Sequence, residues 1–451
     1  MSDCRSAYNF KPELYSDASE HRYEGGERLL HYVWLNRLWT PAVLKTTDGK
    51  QLEIINPGRI NIHAGPDFFN ASVRIDGTLW VGNIEIHIDA SDWYRHGHHT
   101  DERYDNVILH VCEHADRAVM TKKGVEVQQV EISVPDYVKD NYRNLLSEME
   151  YPPCFRVLNN MPQLMLRSWL DNMCVERMEQ KTLRIEKYLK LCENDWERVF
   201  FIALSRAFGF GVNSETFEYW ASRIPLNQLA HHRDDIFQVE AFFFGQAGMI
   251  SDSFSKEMDD YQRKLFTEYK FLSTKFGLEP MDVNRWKFLR MRPQNFPTIR
   301  LSQLAMLYTK GVLSLSTVIE TDSLKALTEL LSTDVSPYWQ EHYTFGKWSK
   351  PCHKRIQRAS LHRLILNAIC PTLFAYGRYS GKEQLTERAF DLLQQLPAES
   401  DHIIRRWGEV GVKAENSADS QALLYMYSNY CQRKDCLRCV VGREYLKVNP
   451  M

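Results

Sequence analysis

The hydrophobic period of this chain changes once, near Met161, and that change limits its fold more than any other feature. Before it, apolar residues recur at every second position in short runs divided by turn residues. After it they recur every 3.6 residues to about residue 430. The stretch "LMLRSWLDNMCVERMEQKTLRIEKYLKLC" is predicted as one long amphipathic helix. The expectation is therefore an α+β protein, with an N-terminal mixed-sheet core followed by a mostly α-helical domain. At 451 residues the chain is too long for a single core. Three segments are expected: 1–150, the α/β core; 151–430, the helical domain; and 431–451, a cysteine-containing tail.

Within the first third, Leu30, Val33, Trp34 and Leu38 fall on one helical face of "GERLLHYVWLNRLW". A hairpin follows over 44–56, turned by Asp48-Gly49, and a second over 64–87, turned by Asp76-Gly77. A polar connection over 89–106 leads to a buried strand at 107–112 and another within 125–135.

The second hairpin carries the chemistry. Alternation along "GNIEIHID" sets Ile84, Ile86 and Ile88 on one face, and Asn83, Glu85, His87 and Asp89 on the other. Asp67 begins the partner strand and pairs approximately with residue 86, which brings it near Glu85. Two carboxylates that close repel each other unless one is protonated or a cation lies between them. A hard divalent ion, Mg²⁺ or Mn²⁺, suits such a pair. Glu27 shares the helical stripe of Leu30 and Trp34 and is expected to face the sheet as a third acid.

The order helix–strands–connection–strand, with Pro66-Asp67 on one strand and Glu85-Ile86-His87 on the next, resembles the PD-(D/E)XK nuclease superfamily over residues 25–135. The resemblance implies metal-dependent phosphodiester hydrolysis of DNA or RNA. Asp67 and Glu85 would bind the metal, Glu27 would assist through a water, and His87 would orient or deprotonate the nucleophile. His87 stands where the superfamily has lysine, and histidine serves as a base near neutral pH. Over nearly its whole length, through "NPGRINIHAGPDFFNA", "WVGNIEIHIDASDWYRHGHH" and "YDNVILHVC", the chain also resembles an uncharacterised bacterial family of unknown function.

Two competing classes follow from the same residues. One is a non-catalytic nucleic-acid- or protein-binding factor that keeps the fold. The other is a zinc hydrolase centred on the histidines of "HGHHTDERYD", where His96, His98, His99 and Asp101 approximate an H-x-H-x-D pattern with the acid one position late.

Cys431, Cys436 and Cys439 follow a C-x₄-C-x₂-C spacing that suits a structural zinc or iron–sulfur site, with Cys154, Cys352 or Cys370 as the fourth ligand. Some nucleases of the superfamily named above carry such a staple. Phosphate contacts are expected from Arg177, Lys181 and Arg184 on one helix face, and from Arg290, Arg292 and Arg300 around a proline turn. Residues 1–150 carry a net charge of −8 and the rest +6, as suits a metal site joined to a polyanion-binding surface. No apolar run is long enough to span a membrane, and the N-terminus lacks the pattern of an export signal, so the cytoplasm is expected.

Overall fold

A computed structural model describes residues 26–61, 63–251 and 258–448. The N-terminal stretch read for an export signal lies outside these residues. The chain divides into two compact units, one of residues 1–162 with 427–451 and one of residues 163–426. The cysteine tail therefore belongs to the unit that carries the sheet.

That first unit opens with helix α1 (Gly26–Asn36), which buries Leu29, Leu30, Val33 and Trp34. Strands β1 (Leu44–Lys45) and β2 (Gln51–Asn56) form the hairpin turned by Asp48-Gly49, and β3 (Arg59–Ile60) is a short edge piece. Strands β4 (Phe68–Ile75) and β5 (Thr78–Asp89) form the second hairpin. Its turn has positive φ at both Asp76 and Gly77, the handedness that matches the twist of the paired strands. The sheet runs β1-β2-β4-β5-β6-β7, with β3 paired to β4. It is antiparallel as far as β5, then parallel through β6 (Val107–His114) and β7 (Gln129–Glu131). The strand expected within 125–135 is thus confined to three paired residues.

One residue decides where the hairpin's acids lie. From Ile75↔Thr78 to Ala71↔Gly82 the register is regular, and its continuation would set Asp67 opposite Ile86. Asn70, at φ +56°, makes a bulge, so that Phe68 pairs with Ile84 and Asp67 comes level with Glu85. A slip of one residue also exchanges the faces of the strand. Phe68 therefore joins Ala71, Val73 and Ile75 among the buried apolar residues, and Asp67 moves to the side of Glu85.

The polar connection folds into helix α2 (Asp92–Arg95) and two single 3₁₀ turns, His98–Thr100 and Glu102–Tyr104. It packs over the polar face of β5, so Glu85 and His87 are 4% and 1% exposed. Trp93 anchors it: the ring is fully buried and its Nε1 donates to the Met120 carbonyl at 3.0 Å. An aromatic ring of this size contributes about 3–5 kcal/mol when buried. Helices α3 (Asp136–Ser147) and α4 (Phe155–Leu158) follow.

The second unit begins with α5 (Gln163–Leu191), the long helix expected from the period. Among its described residues the regular elements are helices, apart from a small hairpin, His342–Thr344 with Lys347–Trp348. Among the described residues no helix is long and apolar enough to cross a membrane.

Candidate active site

Asp67 and Glu85 are laced to each other's strands. Glu85 Oε2 accepts from the Asp67 N–H at 3.0 Å, and Asp67 Oδ2 accepts from the Ile86 N–H at 2.9 Å. His31 of α1 lies on the same Asp67 oxygen, Nε2 to Oδ2 3.3 Å. His31 sits four residues after Glu27, one turn along the same helical stripe. Burial opposes charge on both His31 and Asp67, yet each favours the charged form of the other. The imidazole is raised above its ordinary value and the carboxyl is lowered.

Glu85 behaves in the opposite way. Burial first, and then the charge of Asp67, push its carboxyl well above the ordinary range. Glu27 adds to that push and is half-buried at the start of α1. The two acids of the pair are thus pushed in opposite directions, the division expected of neighbouring carboxyls.

Three further imidazoles surround Glu85. His98 Nε2 lies 3.0 Å from Glu85 Oε1, and His87 Nε2 lies 3.6 Å from the same oxygen. His87 Nε2 meets His96 Nδ1 at 3.2 Å. One ring nitrogen from each of His87, His96 and His98 lies within 4.8 Å of the others. The buried His98 Nε2 has no aligned hydrogen bond although Glu85 is in contact. Such a donor pair fits a shared cation. Burial lowers two of these rings: His87 falls well below its ordinary value, and His98 falls to about 4.

Behind His87 a polar row continues into the parallel strands. His87 Nδ1 meets His110 Nε2 at 2.8 Å, and His110 Nδ1 meets the Gln129 amide at 3.2 Å. His31, His110 and Gln129 were not among the residues expected in the site. His31 was legible from its spacing to Glu27. His110 and Gln129 sit on strands that the sequence marks only as buried.

The remaining expected residues fall elsewhere. His99 packs against Tyr94, with ring centroids 5.0 Å apart, and Asp101 pairs with Arg103. Neither belongs to the three-imidazole group, so the H-x-H-x-D pattern is not assembled as such. In the second unit Lys181 is packed down onto the Leu366 carbonyl and Asn367, and burial lowers its amine to about 7. Arg177 is held by Gln180 and Gln421, and Arg184 is half-buried. Arg300 is 4% exposed, bonded to Asn295 and Gln303 and stacked over Phe210. These side chains are occupied within the fold. Arg290 and Arg292 are exposed, and with Arg363 they line a cavity of about 310 Å³.

The sequence model of a family described as "protein of unknown function (DUF2851)" matches residues 27–402. No curated protein and no solved structure matches the chain. The matched span covers every residue of the carboxylate–imidazole cluster, and the chain belongs to that family.

Proposed function

We propose that this DUF2851 chain is a metal-dependent hydrolase of phosphodiester bonds, acting on DNA or RNA in the cytoplasm. The observation that carries the reading is the convergence of Asp67, Glu85, His87, His96 and His98 beneath one buried lid. Asp67 just before β4 and Glu85 on β5 lie side by side as the resemblance to the nuclease superfamily implies, which supports the substrate class. A site of carboxylates alone suits Mg²⁺; three added imidazoles favour Mn²⁺ or Zn²⁺. Such an ion would supply positive charge to the phosphate as negative charge builds on it.

The chain's own groups have separable tasks in this reading. Glu85 and His98, whose Nε2 lies 3.0 Å from the carboxylate, would hold the ion. Asp67 stays charged and fixes His31 and the β5 backbone. His87, in the place of the superfamily lysine, faces the same space. Arg290 and Arg292, exposed at the rim of a cavity, suit contact with a nucleic-acid backbone.

The test is cleavage of labelled single- and double-stranded DNA and RNA with Mg²⁺, Mn²⁺ or Zn²⁺ added to metal-stripped protein. Wild type should cut in at least one metal, and Asp67→Asn and Glu85→Gln should lose about 100-fold or more while remaining folded. No divalent-dependent cleavage by folded wild type overturns the reading and leaves a binding factor. The three-imidazole grouping favours a second reading, a zinc hydrolase centred on His87, His96 and His98. There Asp67→Asn cuts normally and His98→Ala does not.

A further inference from the structure

The tail closes on the first unit at a second cluster of metal-binding side chains. Cys431 ends the wide helical turn Tyr427–Cys431, and Cys436 opens the 3₁₀ turn Cys436–Arg438. Cys439 caps the N-terminus of the terminal helix Val440–Lys447. Cys154, nearly 280 residues earlier, caps the N-terminus of α4.

Several contacts bring these segments together. Helix α4 packs against the terminal helix. The Tyr151 and Tyr427 rings meet edge to face at 4.5 Å. Lys434 Nζ donates to the carbonyls of Leu145 at 3.2 Å and Glu148 at 2.7 Å. Cys154 then lies within electrostatic reach of Cys439, Cys431 and Cys436. All four are free thiols; three are buried and Cys431 is half-buried.

The two other candidates for a fourth ligand have different surroundings. Cys370 sits beside Lys181 and Cys174, and Cys352 is exposed beside Tyr343. Gly442 shows how tightly the tail is folded around the cluster: a Cβ there would lie 2.2 Å from the Cys436 carbonyl oxygen. Isolated buried cysteines pack as small hydrophobes. Four drawn together from two distant segments offer the ligand type that holds a thiophilic metal.

We propose that Cys154, Cys431, Cys436 and Cys439 form one four-thiolate site for a thiophilic metal centre, either a zinc ion or an iron–sulfur cluster, that fastens the tail to α4. The site is separate from the carboxylate–imidazole cluster and serves structure. It also bears on that cluster through α1, because the tail grips α1 directly. Arg28 pairs with Asp435 at 3.0 Å, and the Tyr32 hydroxyl donates to the Arg443 carbonyl at 3.0 Å. Loss of the centre would loosen the helix that carries Glu27 and His31.

The test uses full-length protein carrying Glu85→Gln and His98→Ala, so that metal at the other site does not contribute. Zinc, iron and acid-labile sulfide are measured on anaerobically purified protein, together with visible absorption. Stoichiometric zinc without visible absorption identifies a zinc site, and iron with sulfide and charge-transfer absorption identifies a cluster. Cys154→Ser should lose the metal, and Cys370→Ser should keep it. If Cys154→Ser does not fold, titration of the parent protein carrying also Cys352→Ser with a mercurial should release the metal in proportion to the reaction of four thiols. Metal-free parent protein, or full retention by folded Cys154→Ser, overturns the proposal. Either result leaves the cleavage test untouched.

Discussion

Gln129 fixes the tautomer of His110. Its amide nitrogen lies 3.1 Å from the Arg117 carbonyl oxygen and 3.2 Å from His110 Nδ1. A carbonyl only accepts, so the group between them is the NH₂, and His110 Nδ1 accepts from it. The proton of neutral His110 is then on Nε2 and is donated to His87 Nδ1, 2.8 Å away. His87 in turn carries its proton on Nε2, facing His96 Nδ1 at 3.2 Å. The row therefore has one direction, and a cation that takes His87 Nε2 must reverse it.

Gln129→Met removes the donor that sets this direction at nearly constant volume. Divalent metal should bind up to about 10-fold tighter, since a ligand's outer partner tunes affinity on that scale. The lost hydrogen bonds should cost about 1 kcal/mol of stability. Competition against a chelating dye measures the first and urea unfolding the second. Unchanged affinity in the folded variant would show that His87 takes no part in binding.

Protonation of His110 should set part of the acid sensitivity. Burial first, and then His98, push this ring from 6.5 to about 3. Between those values the unfolded chain binds a proton that the native ring does not, so stability falls as pH drops through the window. The slope is about 1.4 kcal/mol per pH unit for one ring. His87 and His98 act in the same direction. Glu85 and His31, both raised, act in the opposite one, and their contribution is lost as pH rises. Comparing wild type with His110→Gln isolates the one ring. Urea midpoints of the two should converge as pH falls below 6.5, and parallel curves would contradict the assignment.

The bulge at Asn70 should matter to the site more than its exposed side chain suggests. Asn70→Gly retains the positive φ and should change stability by less than about 0.5 kcal/mol. Asn70→Val forces a β-branched residue into that conformation, at a cost of about 1–3 kcal/mol. Relief by slipping back to the regular register would turn Asp67 away from Glu85, so metal affinity should fall with stability in the valine variant alone. Denaturation and metal titration on the same samples check both.

Reversing charge at the exposed arginines should weaken nucleic-acid binding without touching the metal. Arg290→Glu with Arg292→Glu should lower affinity for a random duplex or single strand and flatten its salt dependence by about one to two units of slope. Arg300→Glu should instead destabilise the fold, because that guanidinium is buried between Asn295, Gln303 and Phe210. Fluorescence anisotropy over a salt series separates the two outcomes.

The amino-acid sequence by itself determined the division into a sheet-bearing part and a helical part, because side-chain period follows directly from backbone geometry. It likewise determined both hairpin turns at Asp48-Gly49 and Asp76-Gly77, the 29-residue helix, and the neighbourhood of Asp67 and Glu85. All of these are local or nearly local properties. The exact register was decided by the bulge, whose exposed asparagine carries no hydrophobic signal. The assembly of His31, His87, His96, His98 and His110 was decided by folding α1, the polar connection and two parallel strands onto one face. The packing of Cys154's segment, rather than that of Cys352 or Cys370, against the tail spans nearly 280 residues. Spacing along the chain carries no information at that range; only the tertiary structure brings such segments together.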